Sequence, residues 1–477
     1  MARKNSLVQA MASSASQNTA YTQNGALTNK SSMSSLVDLF FIAGASRGKD
    51  LTPSFAKAFA EDEYIALRLV QWLRDAREGA GERQQFRNLF GWLVRNHKDA
   101  ALAILDKVPE LGRWDDVLIG LRTPIEAEVV QLIKEGLRDP STQGLVAKWM
   151  PRKGEDAVRL RSLLGYTPKQ YRKTIVNLSN TVEQAMCSGN WDKIELKKVP
   201  SVAFARYKRA FSKRAPQMFT DFVKKVQAGE AKINAGAVFP YDIVRSLRNS
   251  YQQIERDAAN EQWKALPDFL NGTDERLLVV CDTSGSMCGW GYGVNAKAVG
   301  NVCPLDIAIS LAIYTSEKLT GAFKDAFITF SASPELQVLS GTLHDRINQL
   351  QRAAWGMNTD LQKVFDLVLN NAIKHKVPES EMPTKIVIIS DMEFDACARG
   401  NVSGIREKYT RAGYKLPQLV FWNVNGRVGN VPVTQHQSGT ALISGFSPSI
   451  VKSILGGQLM TPESVMLKTL MNPRYDI

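Results

Sequence analysis

Residues 277–290 read LLVVCDTSGSMCGW: an apolar run of strand length that ends in an acid, with hydroxyls following at alternate positions. Rich in valine and too short for a helix, the run predicts a buried β-strand. Three others of the same kind follow, DAFITFS (325–331), KIVIISDM (385–392) and QLVFWNV (418–424), each bounded by polar residues or glycine. Helical patterns occupy 304–320, 343–353, 360–376, 403–412 and 447–456. Strands alternating with helices predict a parallel or mostly parallel sheet covered on both faces, a Rossmann-like α/β architecture. Ligands of such sheets bind beyond the carboxyl ends of the strands. Asp282 and Asp391 both fall there, each just past an apolar run.

Three chemistries want an acid beside hydroxyls. An aspartic protease needs a D-T-G or D-S-G loop in two copies, but Ser284 follows Asp282-Thr283 and no second loop exists. A phosphoryl-transfer aspartate wants a lysine on a later strand end, and none stands out. A metal site fits better. Asp282, Ser284 and Ser286 alternate as D-x-S-x-S, so a tight loop turns their oxygens toward one point. Hard divalent cations such as Mg²⁺ or Mn²⁺ prefer oxygen donors of this kind. Two further donors stand in later connections, Thr359 in WGMNTDLQKVFD and Asp391 in IVIISDMEFD. No Ser/His/Asp order or paired acids stand out, and His344, His375 and His436 read as ordinary loop or helix residues, so no catalytic residue is assigned.

This five-residue set resembles the metal-ion-dependent adhesion site of von Willebrand factor type A domains, over roughly residues 274–450. The resemblance implies that the two serines bind Mg²⁺ directly, while Thr359, Asp282 and Asp391 act directly or through water. It leaves one coordination position for water or a partner's carboxylate. One departure from the family is the long stretch MCGWGYGVNAKAVGNVCP (287–304), rich in glycine and aromatics.

The chain before residue 271 follows another pattern. From about 34 to 262, apolar residues recur at three- and four-residue steps, as in FAEDEYIALRLVQWLRDARE and PIEAEVVQLIKEGLRD, with breaks at Pro53, Gly79, Gly81, Pro109, Gly112, Pro140 and Pro151. Helical pairs joined by short turns predict an irregular HEAT-like solenoid, without a clean repeat. The formal charge is +13, and residues 271–477 hold 19 Lys and Arg against 18 Asp and Glu, so nearly all of the surplus lies in the helical part. A field so concentrated favours an anionic partner, nucleic acid above all. The basic residues gather at Arg152 and Lys153 and again at Arg206, Lys208, Arg209, Lys213 and Arg214. They interleave with Trp149, Tyr166, Tyr171, Trp191, Phe204, Tyr207 and Phe211, rings most of which helical spacing assigns to the core. GASRGKD (44–50) mimics a phosphate-binding loop but lacks its spacing, and Asp50 stands where the hydroxyl should be. It reads as a basic turn in which Arg47 and Lys49 are candidate phosphate contacts.

A basic helical region followed by an adhesion-site domain resembles the Ro60/TROVE ring proteins. REGAGERQQFRNLFGWL, VPELGRWDDVLIGL, WDKIELKKVPSVAFARYKRAF and GMNTDLQKVFD look closer still to a DUF2828-like branch. The resemblance implies a monomeric ring that binds small structured or single-stranded RNA. The expected organisation is a flexible polar arm (1–33), a basic α-helical HEAT-like domain (34–270), a von Willebrand factor A domain (271–455) and a tail (456–477) packing back on the helices. A protein-interaction scaffold, whose metal captures a partner's acidic side chain, is the alternative. No stretch has the ~20 apolar residues of a membrane helix, and the polar N-terminus lacks a secretion signal's apolar block. Cys187, Cys281, Cys288, Cys303 and Cys397 form no CxxC pair, and zinc is not expected. Reduced thiols in the cytoplasm fit best.

Overall fold

In a computed structural model of the chain, the described residues are 18–179, 181–287, 303–330, 334–351, 360–394 and 402–477. Two architectures follow one another, helices first and then a six-stranded mixed sheet with helices.

The strands are β1 (Thr19–Tyr21), β2 (Leu27–Asn29), β3 (Leu277–Asp282), β4 (Ala326–Phe330), β5 (Glu335–Val338), β6 (Lys385–Ser390), β7 (Gln418–Asn423) and β8 (Thr440–Ser444). The sheet runs in the order β5-β4-β3-β6-β7-β8. All neighbours are parallel except β5, which pairs antiparallel with β4 at one edge. Every residue of β3, β6 and β8 is buried, as expected for parallel strands covered on both faces. The four quoted apolar runs are β3, β4, β6 and β7. β5 and β8 were not anticipated. β5 carries exposed Leu336 and Val338 without a buried face, and TALIS in β8 is short and partly polar. The strand order brings β3 beside β6, so the residues that end them, Asp282 and Ser390-Asp391, share one edge of the sheet.

The helical part runs from Ser35–Ala43 to Gln253–Lys264. Local signals set its boundaries. Asp62 accepts from Ile65 N (2.9 Å) to cap Glu63–Arg74, and Thr167 with Gln170 forms a capping box ahead of Pro168–Leu178. Hydrophobic packing divides this part in two. Helices up to about residue 175, together with Pro240–Arg248 and Ala259 and Trp263 of Gln253–Lys264, share one core with the sheet, while Ile194, Leu196, Val199, Phe204, Phe211, Phe219, Val223, Ile233 and Ala258 form a second, smaller one. Phe204 and Phe211, seven residues apart on the helix Ser201–Arg214, anchor that second core.

The ends of the chain are interlocked with its middle. The helix Ser35–Ala43 and the helix Pro462–Leu470 both lie against β8. Ser444 Oγ donates to Phe40 O (2.6 Å) and accepts from Gly44 N (3.1 Å). A Cβ at Gly44 would stand 2.8 Å from Ser444 O, so this approach requires glycine. From the last residues, Leu470 O accepts from Arg68 NH1 (3.1 Å) and Tyr475 O from Gln71 Nε2 (3.0 Å), tying them to the helix Glu63–Arg74. Residues 18–33, expected within a free polar arm, instead form the β1–β2 hairpin. Asn29 and Val431 exchange backbone hydrogen bonds, and Thr22 Oγ1 donates to Phe394 O (2.6 Å). Side chains of a polar segment here satisfy the backbone of a loop rather than water. The rest of the expected arm, residues 1–17, lies outside the described residues.

Candidate functional site

The site at the carboxyl edge of the sheet is built from the ends of β3 and β6. Asp282 is the last residue of β3, and Ser390 Oγ donates across the strand pair to its Oδ2 (2.6 Å). Its Oδ1 accepts from Ser284 N (2.9 Å), which tightens the chain into the short 3-10 turn Gly285–Met287. That turn carries Ser286 over to the next strand. Ser286 Oγ stands 3.0 Å from Ser284 Oγ and donates to Asp391 Oδ1 (3.3 Å). Beyond β6 the backbone turns sharply at Met392, whose φ of 67° lies in the left-handed region. The turn lets Glu393 N donate to Asp391 Oδ1 (3.2 Å) and Met392 N to Ser390 Oγ (2.9 Å).

Asp282 and Asp391 are both 0% exposed. Burial, followed by the charge of Asp391, pushes the Asp282 carboxyl well above the usual carboxylate range. Burial also raises Asp391, with Arg427 pulling the other way. Arg427 NH2 lies 3.7 Å from Asp391 Oδ2, and its NH1 lies 2.8 Å from Glu393 Oε1. Asp391 Oδ2 is buried without a hydrogen-bond partner. Such an atom is costly unless something positive reaches it. The donor set of two carboxylates and two hydroxyls, with one carboxylate oxygen unspent, fits a hard divalent cation. Among the described residues no group of three or more His, Cys, Asp or Glu could hold a metal, so a cation here would rest on acids and hydroxyls together.

Four of the five expected ligands, Asp282, Ser284, Ser286 and Asp391, therefore converge. The fifth, Thr359, lies outside the described residues, as does most of the glycine- and aromatic-rich stretch (288–302). Sequence reasoning missed Ser390, Glu393 and Arg427. Ser390 directly precedes Asp391, and strand alternation could have flagged it. Arg427, in the loop after β7, gave no spacing signal.

The expected basic contacts separate into three groups. Arg47 and Lys49 are spent inside the fold: Arg47 pairs with Glu82 (2.8 Å) and donates to Tyr241 Oη (2.8 Å), while Lys49 Nζ donates to Asn425 O (2.9 Å) and Gly426 O (2.8 Å). They are not part of a basic surface. Arg152 and Lys153 are exposed before the helix Gly154–Leu163, with Arg152 NH2 donating to Ser179 Oγ (3.0 Å). Arg206, Arg209, Lys213 and Arg214 are exposed on the helix Ser201–Arg214 and make no ion pair among the described residues. Lys208, on the same helix, is instead buried. Of the interleaved aromatics, Tyr171, Phe204 and Phe211 are buried and the other four half-buried, so they are chiefly packing residues.

Among the described residues, no helix is long and apolar enough to cross a membrane. Residues 22–113 and 128–273 match the family described as "Domain of unknown function (DUF2828)". Residues 276–472 match "Domain of unknown function (DUF7788)", a match that takes in both site aspartates and the helix Pro462–Leu470. The chain is also similar to an uncharacterized protein, L728, of Acanthamoeba polyphaga mimivirus: 28% identical over 526 residues, covering 96% of this chain and 89% of that protein. The chain thus carries a DUF2828 domain over its helical part, and its sheet part is similar to the DUF7788 family.

Proposed function

We propose that this protein is a non-enzymatic RNA-binding protein of the cytoplasm, a ring-like ribonucleoprotein component of the Ro60/TROVE kind. Its HEAT-like helices present the basic surface, and its sheet domain, of the von Willebrand factor A type, holds Mg²⁺ at the adhesion-type site. The observation that carries the RNA reading is the helix Ser201–Arg214. Four exposed cations within nine residues, with no ion pair among the described residues, repel one another unless water or an anion screens them. A polyanion relieves that repulsion and releases its own counterions. The A-domain reading draws support from the D-x-S-x-S turn after β3 facing Asp391 after β6. The residues that would hold the cation are Asp282, Ser284, Ser286 and Asp391, with Thr359 as a further candidate. A cation there would supply the charge that two buried carboxylates and one arginine leave unbalanced. The meeting of the first and last helices on β8 supports closure within a single chain.

The test is filter binding of a single-stranded RNA at increasing salt. Four phosphate contacts give a log–log slope of about −3, a loss of roughly fiftyfold between 50 and 200 mM salt. Arg206→Glu, Arg209→Glu and Lys213→Glu together should abolish binding at the higher salt. Binding that ignores both salt and these substitutions removes the physical basis of the reading.

A further inference from the structure

Between the helices Ser201–Arg214 and Pro240–Arg248 lies a cavity of about 360 Å³, lined by Val202, Ala205, Arg206, Lys208, Arg209, Asp242, Arg245, Ser246 and Asn249. Four of these nine residues are cations and one is an acid. Lys208 is the unusual member. It is 3% exposed, it lines the cavity, and its Nζ has no hydrogen-bond partner. Its nearest compensation is the field of Glu255, a buried acid that already accepts from Tyr251 N (2.9 Å). Asp242 shares the fields of Arg47, Arg245 and Arg206, so it cannot balance the cavity alone. At the rim, the Arg209 guanidinium lies 4.5 Å over the ring of Tyr251, which is 71% exposed. An ammonium with unspent donors behind a ring of arginines wants an anion with several acceptor oxygens. The exposed Tyr251–Arg209 stack beside it offers a flat face of the sort on which bases lie.

We propose that this cavity is a binding site for a terminal phosphate of a nucleic acid strand, seated against Lys208, Arg206 and Arg245, with the adjoining nucleotide over Tyr251. A phosphomonoester fits the charge better than an internal phosphodiester. It carries up to two negative charges against three guanidiniums and Lys208, whose proton its field helps to retain, and its single ester link lets it enter end-on toward a buried residue. Asn249, whose amide spends one proton on Arg245 O (3.1 Å), has a second neutral donor on the same wall. Strand ends, rather than helical stretches, are thereby selected. The RNA source of the phosphate rests on the function proposed above; the phosphate site itself does not.

The experiment compares one fluorescent single-stranded RNA carrying a phosphate at its 5′ end, at its 3′ end, or at neither, by anisotropy. The partners are the parent protein, Lys208→Met, and Arg206→Ala with Arg245→Ala. Inorganic phosphate is titrated separately by calorimetry. The expected result is that one phosphorylated end binds the parent protein at least tenfold tighter than the unphosphorylated strand. Both variants lose that preference; Lys208→Met keeps the affinity for the unphosphorylated strand, whereas the arginine variant, which removes Arg206 from the basic surface, weakens all three strands and the phosphorylated one most. The arginine variant changes exposed residues only, so it answers even if Lys208→Met folds poorly. Equal binding of all three RNAs overturns the phosphate site and leaves RNA binding standing. Phosphate binding that depends on Lys208, Arg206 and Arg245 without any RNA binding keeps the site and overturns the RNA source. Equal loss of all three RNAs in the variants overturns the preference for strand ends.

Discussion

Replacing Lys208 with methionine should stabilise the folded chain, by an amount that depends on pH. Burial, opposed in part by Glu255, lowers the Lys208 ammonium from 10.5 to about 7. In the unfolded chain the same group keeps its proton up to its ordinary value. Between about pH 7 and 10 the unfolded state therefore binds a proton that the folded state has released, and the unfolding free energy rises with pH. One such group contributes at most about 1.4 kcal/mol per pH unit over that window. The penalty carried at pH 6.5, where both states are largely protonated, is then about 5 kcal/mol as an upper bound. Relaxation and water penetration reduce it to about 2 kcal/mol. Methionine keeps much of the side chain's length and removes the charge. The charged and titratable groups around the site, Arg206, Tyr207, Arg209, Asp242, Arg245 and Glu255, are common to both proteins and largely cancel in the difference. Urea denaturation followed by circular dichroism should place Lys208→Met about 2 kcal/mol above the parent at pH 6.5, with the gap narrowing steadily toward pH 10. A gap that is absent, reversed, or the same at both pH values refutes the reasoning.

Three further outcomes follow from other parts of the fold. In chelator, Asp391→Asn should raise thermal stability, because it removes one of two buried carboxylates that repel each other. In Mg²⁺ at a hundred times its dissociation constant the parent should gain about 3 kcal/mol by scanning calorimetry while the variant gains nothing. Asp116→Ala should cost about 3–5 kcal/mol in urea titrations, since the carboxylate is buried and joins Arg74 (2.7 Å) and Arg87 (2.6 Å), leaving Arg74 charged in the interior without it. Deleting residues 473–477 should lower stability by about 2–4 kcal/mol in the same assay. It strips buried Asp75 of Arg474 (2.5 Å) and of the Tyr475 hydroxyl (3.2 Å).

The parts of this fold that could be read from sequence are those whose signal is local. Val- and Ile-rich runs before Asp282 and Asp391 announced β3 and β6 because both faces of a central parallel strand are buried. β5 escaped because an exposed edge strand carries no apolar run, and β8 because its five residues mix threonine and serine with aliphatics. The hairpin at 18–33 is polar and gains its order from partners nearly 400 residues away, which no window of sequence contains. The phrase Gly112-Arg113-Trp114-Asp115, within VPELGRWDDVLIGL, does packing work: a Cβ on Gly112 would lie 2.5 Å from Arg74 Nε, and Arg113 stacks on Trp149 at 3.8 Å, contacts that tertiary structure supplies. Likewise Arg47 and Lys49 read as surface cations, but burial decided their role, and burial is set by tertiary contacts.

Buried charge is abundant in this protein, and what distinguishes its instances is whether the charge is answered. Arg74 with Asp116, Arg47 with Glu82, and Arg474 with Asp75 are each closed by a partner within about 3 Å. Such pairs hold helices together and need nothing further from outside. Among the described residues, two places stand out against that rule. At the edge of the sheet, Asp391 keeps a buried oxygen without a hydrogen bond beside a second buried acid. Between the helices Ser201–Arg214 and Pro240–Arg248, Lys208 keeps a buried ammonium without one. Each lowers the stability of the free chain, and each lies where a ligand of opposite charge would restore it, a divalent cation at one and a phosphate at the other. Positions that violate local charge balance are where functional sites concentrate, because the ligand supplies the missing term. The two sites are opposite in sign and sit in different domains, so they can be tested apart. A divalent cation should stabilise the sheet domain with Lys208 removed, and phosphate should bind with Asp391 removed.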